Sequence, residues 1–254
     1  MRIVVIGGTG LIGTKVVDRL DRAGHDVVVA SRATGVNSYT AEGLEEALDG
    51  AGTVVDLSNS SYTDQAGALD FFYASTLNLL TFGHAAGVRH HIALSVVGTD
   101  RLAQTERGYF YAKEAQETLI RRSALPYSLV HATQFFEFVR SIGDDAAARD
   151  NLIHLSHTSV QPIAGDDVAA AVVQTALGEP TMSITEFAGP EVFAMTDLVQ
   201  RELLSRNDPR QVVADPLARY FGNTLTAEEL LPGPDAFLFP TRFDEWLRRQ
   251  PETP

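Results

Sequence analysis

Short runs of apolar, β-branched residues alternate with stretches of helical period over the first half of this chain. "RIVVIG" (2–7), "DVVVAS" (26–31), "TVVDLS" (53–58), "HHIALSVVG" (90–98) and "YSLVHAT" (127–133) lack the polar alternation of a half-exposed strand. Strands of this kind are buried on both faces, which predicts a parallel sheet covered by helices. Helical patterns at 10–24, 41–50, 68–87 and 109–123 fall between them, with a weak strand expected at "VNSYT" (36–40). The β–α alternation predicts a doubly wound, Rossmann-like α/β fold with right-handed crossovers.

Beyond residue 134 the rhythm loosens. "VQPIAGDDVAAAVVQTALG" (160–178) suggests a strand edge, a helix capped by Asp166–Asp167 and a glycine stop. Helices are expected at 195–207 and 241–249, the latter with Thr241 and Asp244 at capping-box spacing. Pro209, Pro216, Pro232 and Pro234 punctuate the sequence between them. The expected division is a core over residues 1–133 and a smaller substrate lobe over 134–254, packed together as one compact unit.

Composition narrows the function. Zero cysteines exclude disulfides, thiol catalysis and thiolate metal sites. No apolar run reaches membrane-spanning length, and "RIVVI" followed by glycines does not fit a signal peptide, so a cytoplasmic protein is expected. The net charge of −13 disfavours nucleic-acid binding. Arg121–Arg122, the nearest basic pair, suits a helix end. His90 and His91 are adjacent on a strand and face opposite ways, as do His154 and His157 three apart in an extended stretch, so no metal site is expected.

Gly7, Gly10 and Gly13 are spaced G-x-x-G-x-x-G between the first strand and the first helix. In that context they suit a tight turn, close approach of a pyrophosphate, and close packing of helix on strand, with the helix start facing the phosphates. The second strand ends in Ala30, Ser31 and Arg32, where an NAD-preferring site usually carries a carboxylate; an arginine and a serine there favour the 2′-phosphate of NADP(H). Tyr109 and Lys113 lie four apart on one helix face. An ammonium there would hold a nicotinamide ribose and make the phenol a better proton donor. Ser95, at a strand end, would orient a substrate carbonyl. Both have a structural alternative: Tyr109 as a core aromatic, Ser95 as a hydroxyl serving local backbone. His131 reads as a core histidine.

"GGTGLIG", "SR", "LSVVG", "YFYAK", "PYSLVHATQFFEF" and "QPIAGDDVA" together resemble the short-chain dehydrogenase/reductase superfamily, in its atypical NmrA-like branch of NAD(P)-binding proteins. The resemblance implies that Gly7, Thr9, Gly10, Leu11 and Ile12 hold pyrophosphate and that Ser31–Arg32 hold the 2′-phosphate. It places Leu57–Ser58 beside the adenosine ribose, Lys113 at the nicotinamide ribose, and Ala132–Thr133 near the nicotinamide. Gln134, Phe135 and Phe136 would begin the substrate pocket. The expected function is an NADPH-dependent reductase of a small, largely apolar carbonyl, quinone or enone, on a scaffold where homodimers are common. The alternatives are an NADP(H)-binding redox sensor that performs no chemistry, and an epimerase or dehydratase.

Overall fold

The computed structural model describes residues 1–60, 65–104, 108–146, 151–220 and 224–250, with the side chains of 65 and 66 excepted. In chain order the elements are β1 (Arg2–Ile6), α1 (Leu11–Arg22), β2 (Asp26–Ala30), α2 (Leu44–Leu48), β3 (Thr53–Asp56) and α3 (Gln65–Ala85). Then come β4 (His90–Val96), α4 (Thr99–Leu102), α5 (Tyr109–Arg122), β5 (Tyr127–Ala132) and α6 (Val139–Asp145). The remainder is β6 (Leu152–Leu155), β7 (Ser159–Val160), α7 (Gly165–Leu177), β8 (Ile184–Ala188), β9 (Phe193–Ala194), α8 (Met195–Ser205), β10 (Gln211–Ala214), β11 (Phe237–Leu238) and α9 (Phe243–Arg249).

Seven strands form one parallel sheet in the order β11-β8-β5-β4-β3-β1-β2. The period of two divides β1 between the faces. Ile3 and Val5 join the core under α1 and α7, while Val4 and Ile6 join the core with α2, α3 and α5. Both sets are buried, as unalternated apolar runs require. From β1 the chain steps outward to β2 at the sheet edge and then crosses back to β3 on the other side of β1. This reversal opens a crevice at the carboxyl ends of the strands, where doubly wound folds bind ligands.

Three local expectations are corrected. Residues 36–40 form no strand: a 3-10 turn at Arg32–Thr34 takes the chain off β2, and only an isolated bridge, Asn37 to Glu42, remains. The helix expected at 41–50 is shortened to Leu44–Leu48, because Gly43 sits at φ +69° and starts it late. Sequence beyond 133 also enters the main sheet, since β8 and β11 extend it and α7 packs on α1. The expected boundary is therefore crossed in space.

The helix caps are corrected too. Asp166 and Asp167 sit inside the first turn of α7 rather than at its cap. The Gly165 N–H donates instead to both carboxylate oxygens of Glu137, at 3.2 and 3.0 Å. At α9 the Thr241–Asp244 box does not form; Glu191 accepts from the Phe243 N–H at 3.0 Å and pairs with Arg242 at 2.6 Å. In both cases a carboxylate distant in sequence has displaced the local candidate. The smaller lobe holds two two-stranded sheets, β10-β6 and β7-β9, around a core of Phe136, Leu198, Phe243 and the half-buried Trp246.

Candidate functional site

A cleft of about 1190 Å³ runs across the carboxyl ends of β2, β1, β3 and β4. Its volume exceeds the roughly 300–1,000 Å³ of an ordinary small-molecule site. It is walled by the β1–α1 turn, the Ser31–Tyr39 loop, residues 57–60 after β3, the ends of β4, and residues of α3 and α5.

The glycine turn has geometry that side chains would destroy. Gly7 holds φ +74°, and a Cβ there would stand 2.9 Å from the Leu57 carbonyl oxygen. At Gly13 an added Cβ would stand 2.1 Å from the Gly7 carbonyl oxygen, so the start of α1 lies against the turn itself. Gly10 precedes the helix without a side-chain cap, and no acidic residue lies in the first turn. The first N–H groups of this helix thus carry the positive end of the dipole into the cleft.

Charge in the cleft runs opposite to charge on the molecule. No aspartate or glutamate lies among its described lining residues, and its two cations are Arg32 and Lys113, in a chain of net charge −13. Arg32 is exposed and makes no ion pair among the described residues. Beside it Ser31 Oγ is buried without a hydrogen-bond partner among the described residues. Thr34 Oγ1 instead accepts the Ser31 N–H at 2.9 Å and donates to the Val29 carbonyl at 2.8 Å, fixing the turn.

Across the cleft, α5 places Tyr109 and Lys113 on its inner face. Tyr109 is 4% exposed, and its ring packs edge-on against Phe72 and Phe110. Its hydroxyl donates to Asn59 Oδ1 at 3.0 Å. Lys113 is 2% exposed; its Nζ donates to the Leu94 carbonyl oxygen at 2.8 Å and to Gln116 Oε1, and lies 4.6 Å from the Phe72 ring centre. Burial pulls the amine down to about 8, while the carboxylates of Asp56 and then Glu117 oppose that pull.

Behind this pair lies a second buried cluster. Ser95 Oγ donates to Glu117 Oε1 at 2.5 Å, His131 Nε2 stands 2.9 Å from the same oxygen, and Arg121 reaches Glu117 Oε2 at 3.0 Å. Burial raises the Glu117 carboxyl, but hydrogen bonding and charge from His131, with Ser95 and Lys113, outweigh it and leave the pKa below the ordinary value. The Ser95 hydroxyl expected to orient a substrate carbonyl is therefore engaged with a buried carboxylate.

Of the expected site residues, Gly7, Thr9, Gly10, Leu11, Ile12, Ser31, Arg32, Leu57, Ser58, Ser95, Tyr109, Lys113 and Phe135 line the cleft. Phe136 does not, and its expected pocket role is corrected. The 3-10 turn at Phe136–Phe138 brings side chains three apart onto one side. Phe135 and Phe138 accordingly stack at 5.4 Å along the cleft, while Phe136 turns into the lobe core against Phe243 and Trp246. Thr133 and Gln134 are buried and not in the lining, with Thr133 Oγ1 and both polar atoms of the Gln134 amide unpartnered among the described residues. Phe138, the last residue of the "PYSLVHATQFFEF" stretch, also lines the cleft, and so do Asn59, Phe71 and Tyr39, which no motif marked.

Residues 3–129, half of the chain, match the model of the NAD dependent epimerase/dehydratase family. The chain belongs to that family. Within the short-chain dehydrogenase/reductase superfamily, this membership accounts for the glycine turn and the crevice. MoeE5, solved in complex with UDP-glucose and NAD, superposes with a TM-score of 0.72 at 16% identity, covering 98% of this chain and 97% of that one. RMD from Pseudomonas aeruginosa, complexed with NADPH, gives 0.62 at 15% identity, covering 88% and 89%. A short-chain dehydrogenase/reductase superfamily protein from Agrobacterium tumefaciens, with bound NAD, gives 0.64 at 14% identity over 98% and 90%. Among curated proteins, the photosystem II assembly factor Ycf39 of Synechocystis is 24% identical over 151 residues, covering 54% of this chain and 46% of that protein. The chain thus spans under half the length of that relative. No helix among the described residues is long and apolar enough to cross a membrane.

The site fits a nicotinamide dinucleotide on its own geometry. The turn excludes a Cβ at Gly7 and Gly13, an uncapped helix start faces the cleft, and among the described residues the buried Ser31 hydroxyl lacks a hydrogen-bond partner beside the exposed Arg32.

Proposed function

We propose that this family member is an NADPH-dependent reductase of a small, largely apolar carbonyl, quinone or enone, and that it falls in the NmrA-like branch of its superfamily. The observation that carries the reading is the carboxylate-free cleft, with one cation on each side and an aromatic wall of Phe71, Phe135 and Phe138. Arg32 and Ser31 suit a 2′-phosphate, the glycine turn and the start of α1 suit the pyrophosphate, and Lys113 suits the nicotinamide ribose. A nicotinamide held there would supply the hydride of a reduction. In this reading Tyr109, which lines the cleft with Lys113 one turn away on the same helix face, gives the matching proton to the substrate oxygen. A nucleotide sugar would bring a second diphosphate, and the described lining holds no third cation to meet it. That favours an uncharged substrate over the epimerase alternative.

The sensor reading is favoured by one observation: the Tyr109 hydroxyl is engaged by Asn59 and almost fully buried. An NADPH-oxidation screen over quinones, aldehydes and enones separates the two, with Tyr109→Phe and Arg32→Ala alongside wild type. The reductase reading expects turnover that falls by roughly 10²–10⁴-fold in Tyr109→Phe, and loss of NADPH-over-NADH preference in Arg32→Ala. Tight NADPH binding without turnover on any class would establish the sensor instead. An Arg32→Ala protein that keeps its preference would refute the cofactor assignment.

A further inference from the structure

Two buried charges share the layer between α5 and the sheet without touching: the Asp56 carboxylate, 1% exposed, and the Lys113 ammonium, 2% exposed. Gln116 joins them. Its Nε2 donates to Asp56 Oδ2 at 2.9 Å, and its Oε1 accepts from Lys113 Nζ. This amide has one workable orientation, because the reverse would set a donor against the ammonium and an acceptor against the carboxylate. Asp56 Oδ1 meanwhile accepts from the Ser58 N–H at 3.0 Å and the Ser58 hydroxyl at 2.6 Å. A continuous line of hydrogen bonds therefore runs from the loop after β3, through the sheet-facing side of α5, to the Leu94 carbonyl on β4. Packing alone does not require it, since apolar side chains would fill the same layer without the cost of desolvating two ions.

We propose that Gln116 is a positioning residue that relays the Asp56 charge to Lys113, holds the ammonium at the Leu94 carbonyl, and leaves its third N–H for a hydroxyl of a bound nicotinamide dinucleotide. Through Ser58 the same line ties that grip to the opposite side of the cleft. The inference rests on the dinucleotide reading of the cleft. The titratable and charged groups around Lys113 are Asp56 on β3, His91 on β4, His131 on β5, Glu117 and Tyr109 on α5, and Arg32 across the cleft. Phe72 is the side chain α3 sets against the amine. Burial draws the amine toward about 8 and Asp56 is the largest opposing influence, so breaking the line moves deprotonation to lower pH.

The chain contains two lysines, Lys15 and Lys113, so a protein labelled with ¹³C at lysine Cε gives two resonances and Lys15 serves as the internal reference. The titration of Lys113 is followed in wild type, Gln116→Met and Asp56→Asn, and NADPH affinity is measured on the same samples across pH. Both variants are expected to titrate Lys113 at lower pH than wild type. Their NADPH affinity is expected to fall roughly tenfold near neutrality, the order of one hydrogen bond, with the alkaline loss of binding also moved to lower pH. Asp56→Asn is nearly isosteric and carries the test if Gln116→Met does not fold. A Lys113 titration unchanged in a folded variant would overturn the proposal, leaving the Leu94 carbonyl as sole anchor. If the variants shift Lys113 but wild type binds no NADPH, the relay stands and the dinucleotide reading falls.

Discussion

Helix α1 and helices α7 and α9 start in opposite ways. The first N–H groups of α1 have no side-chain cap and no acidic residue in the first turn. In α7 the leading N–H donates to Glu137, with Asp166 and Asp167 in the first turn; in α9 it donates to Glu191, with Asp244 and Glu245 in the first turn. A helix start favours negative charge worth roughly 0.3–1 kcal/mol. At α7 and α9 the protein supplies that charge itself. At the cleft it withholds it, which leaves the positive end for a ligand that brings its own.

The contrast is broken most severely at the glycine turn. Gly13→Ala puts a Cβ against backbone at 2.1 Å, where no flexible side chain can yield. A loss of roughly 3–5 kcal/mol of stability is expected, together with loss of NADPH binding, read by urea unfolding and by NADPH fluorescence. A gentler change converts the start of α1 to the design of α7 and α9. Leu11→Asp sets a carboxylate in the first turn at an exposed site, so it should spare or slightly raise stability while weakening NADPH binding by roughly 10–100-fold, about 1.4–3 kcal/mol. Unchanged NADPH affinity in a folded Leu11→Asp protein would mean that the phosphates do not sit at this helix start. The smallest effect is expected in the lobe, where Glu191→Ala removes the α9 cap and an Arg242 partner. A cost of about 1–2 kcal/mol is expected, visible as a lower melting temperature. Trp246, the one tryptophan of the chain, lies on α9 to report it, and NADPH affinity should be untouched.

The same contrast explains what the sequence disclosed. Strands buried on both faces and a glycine turn at a strand–helix junction are local signals, so the parallel sheet and the position of the crevice could be read directly. The caps on α7 and α9 could not. Glu137 and Glu191 lie 28 and 52 residues from the N–H groups they hold, and nearer acidic residues offered a plausible but different solution. Phe136 was misplaced for a related reason, because a 3-10 turn assigns faces by threes and sent Phe138 to the cleft in its stead. The buried relay left a fainter trace. Lys113, Gln116 and Glu117 are three and four apart, on a helix face turned toward an apolar sheet. Polar residues on such a face conflict with the local pattern, and conflicts of that kind collect where a protein gives up stability for function.

An approaching dinucleotide meets this molecule first as a repulsive body. At moderate ionic strength the excess of carboxylates is felt to about one Debye length, roughly 8–10 Å, and turns polyanions away from most of the surface. Only at shorter range do the carboxylate-free walls and the exposed Arg32 take over. Added salt weakens the outer repulsion as well as the inner attraction. Capture of an anionic ligand here is therefore set by two opposed fields of different reach, the longer-ranged of which salt screens first.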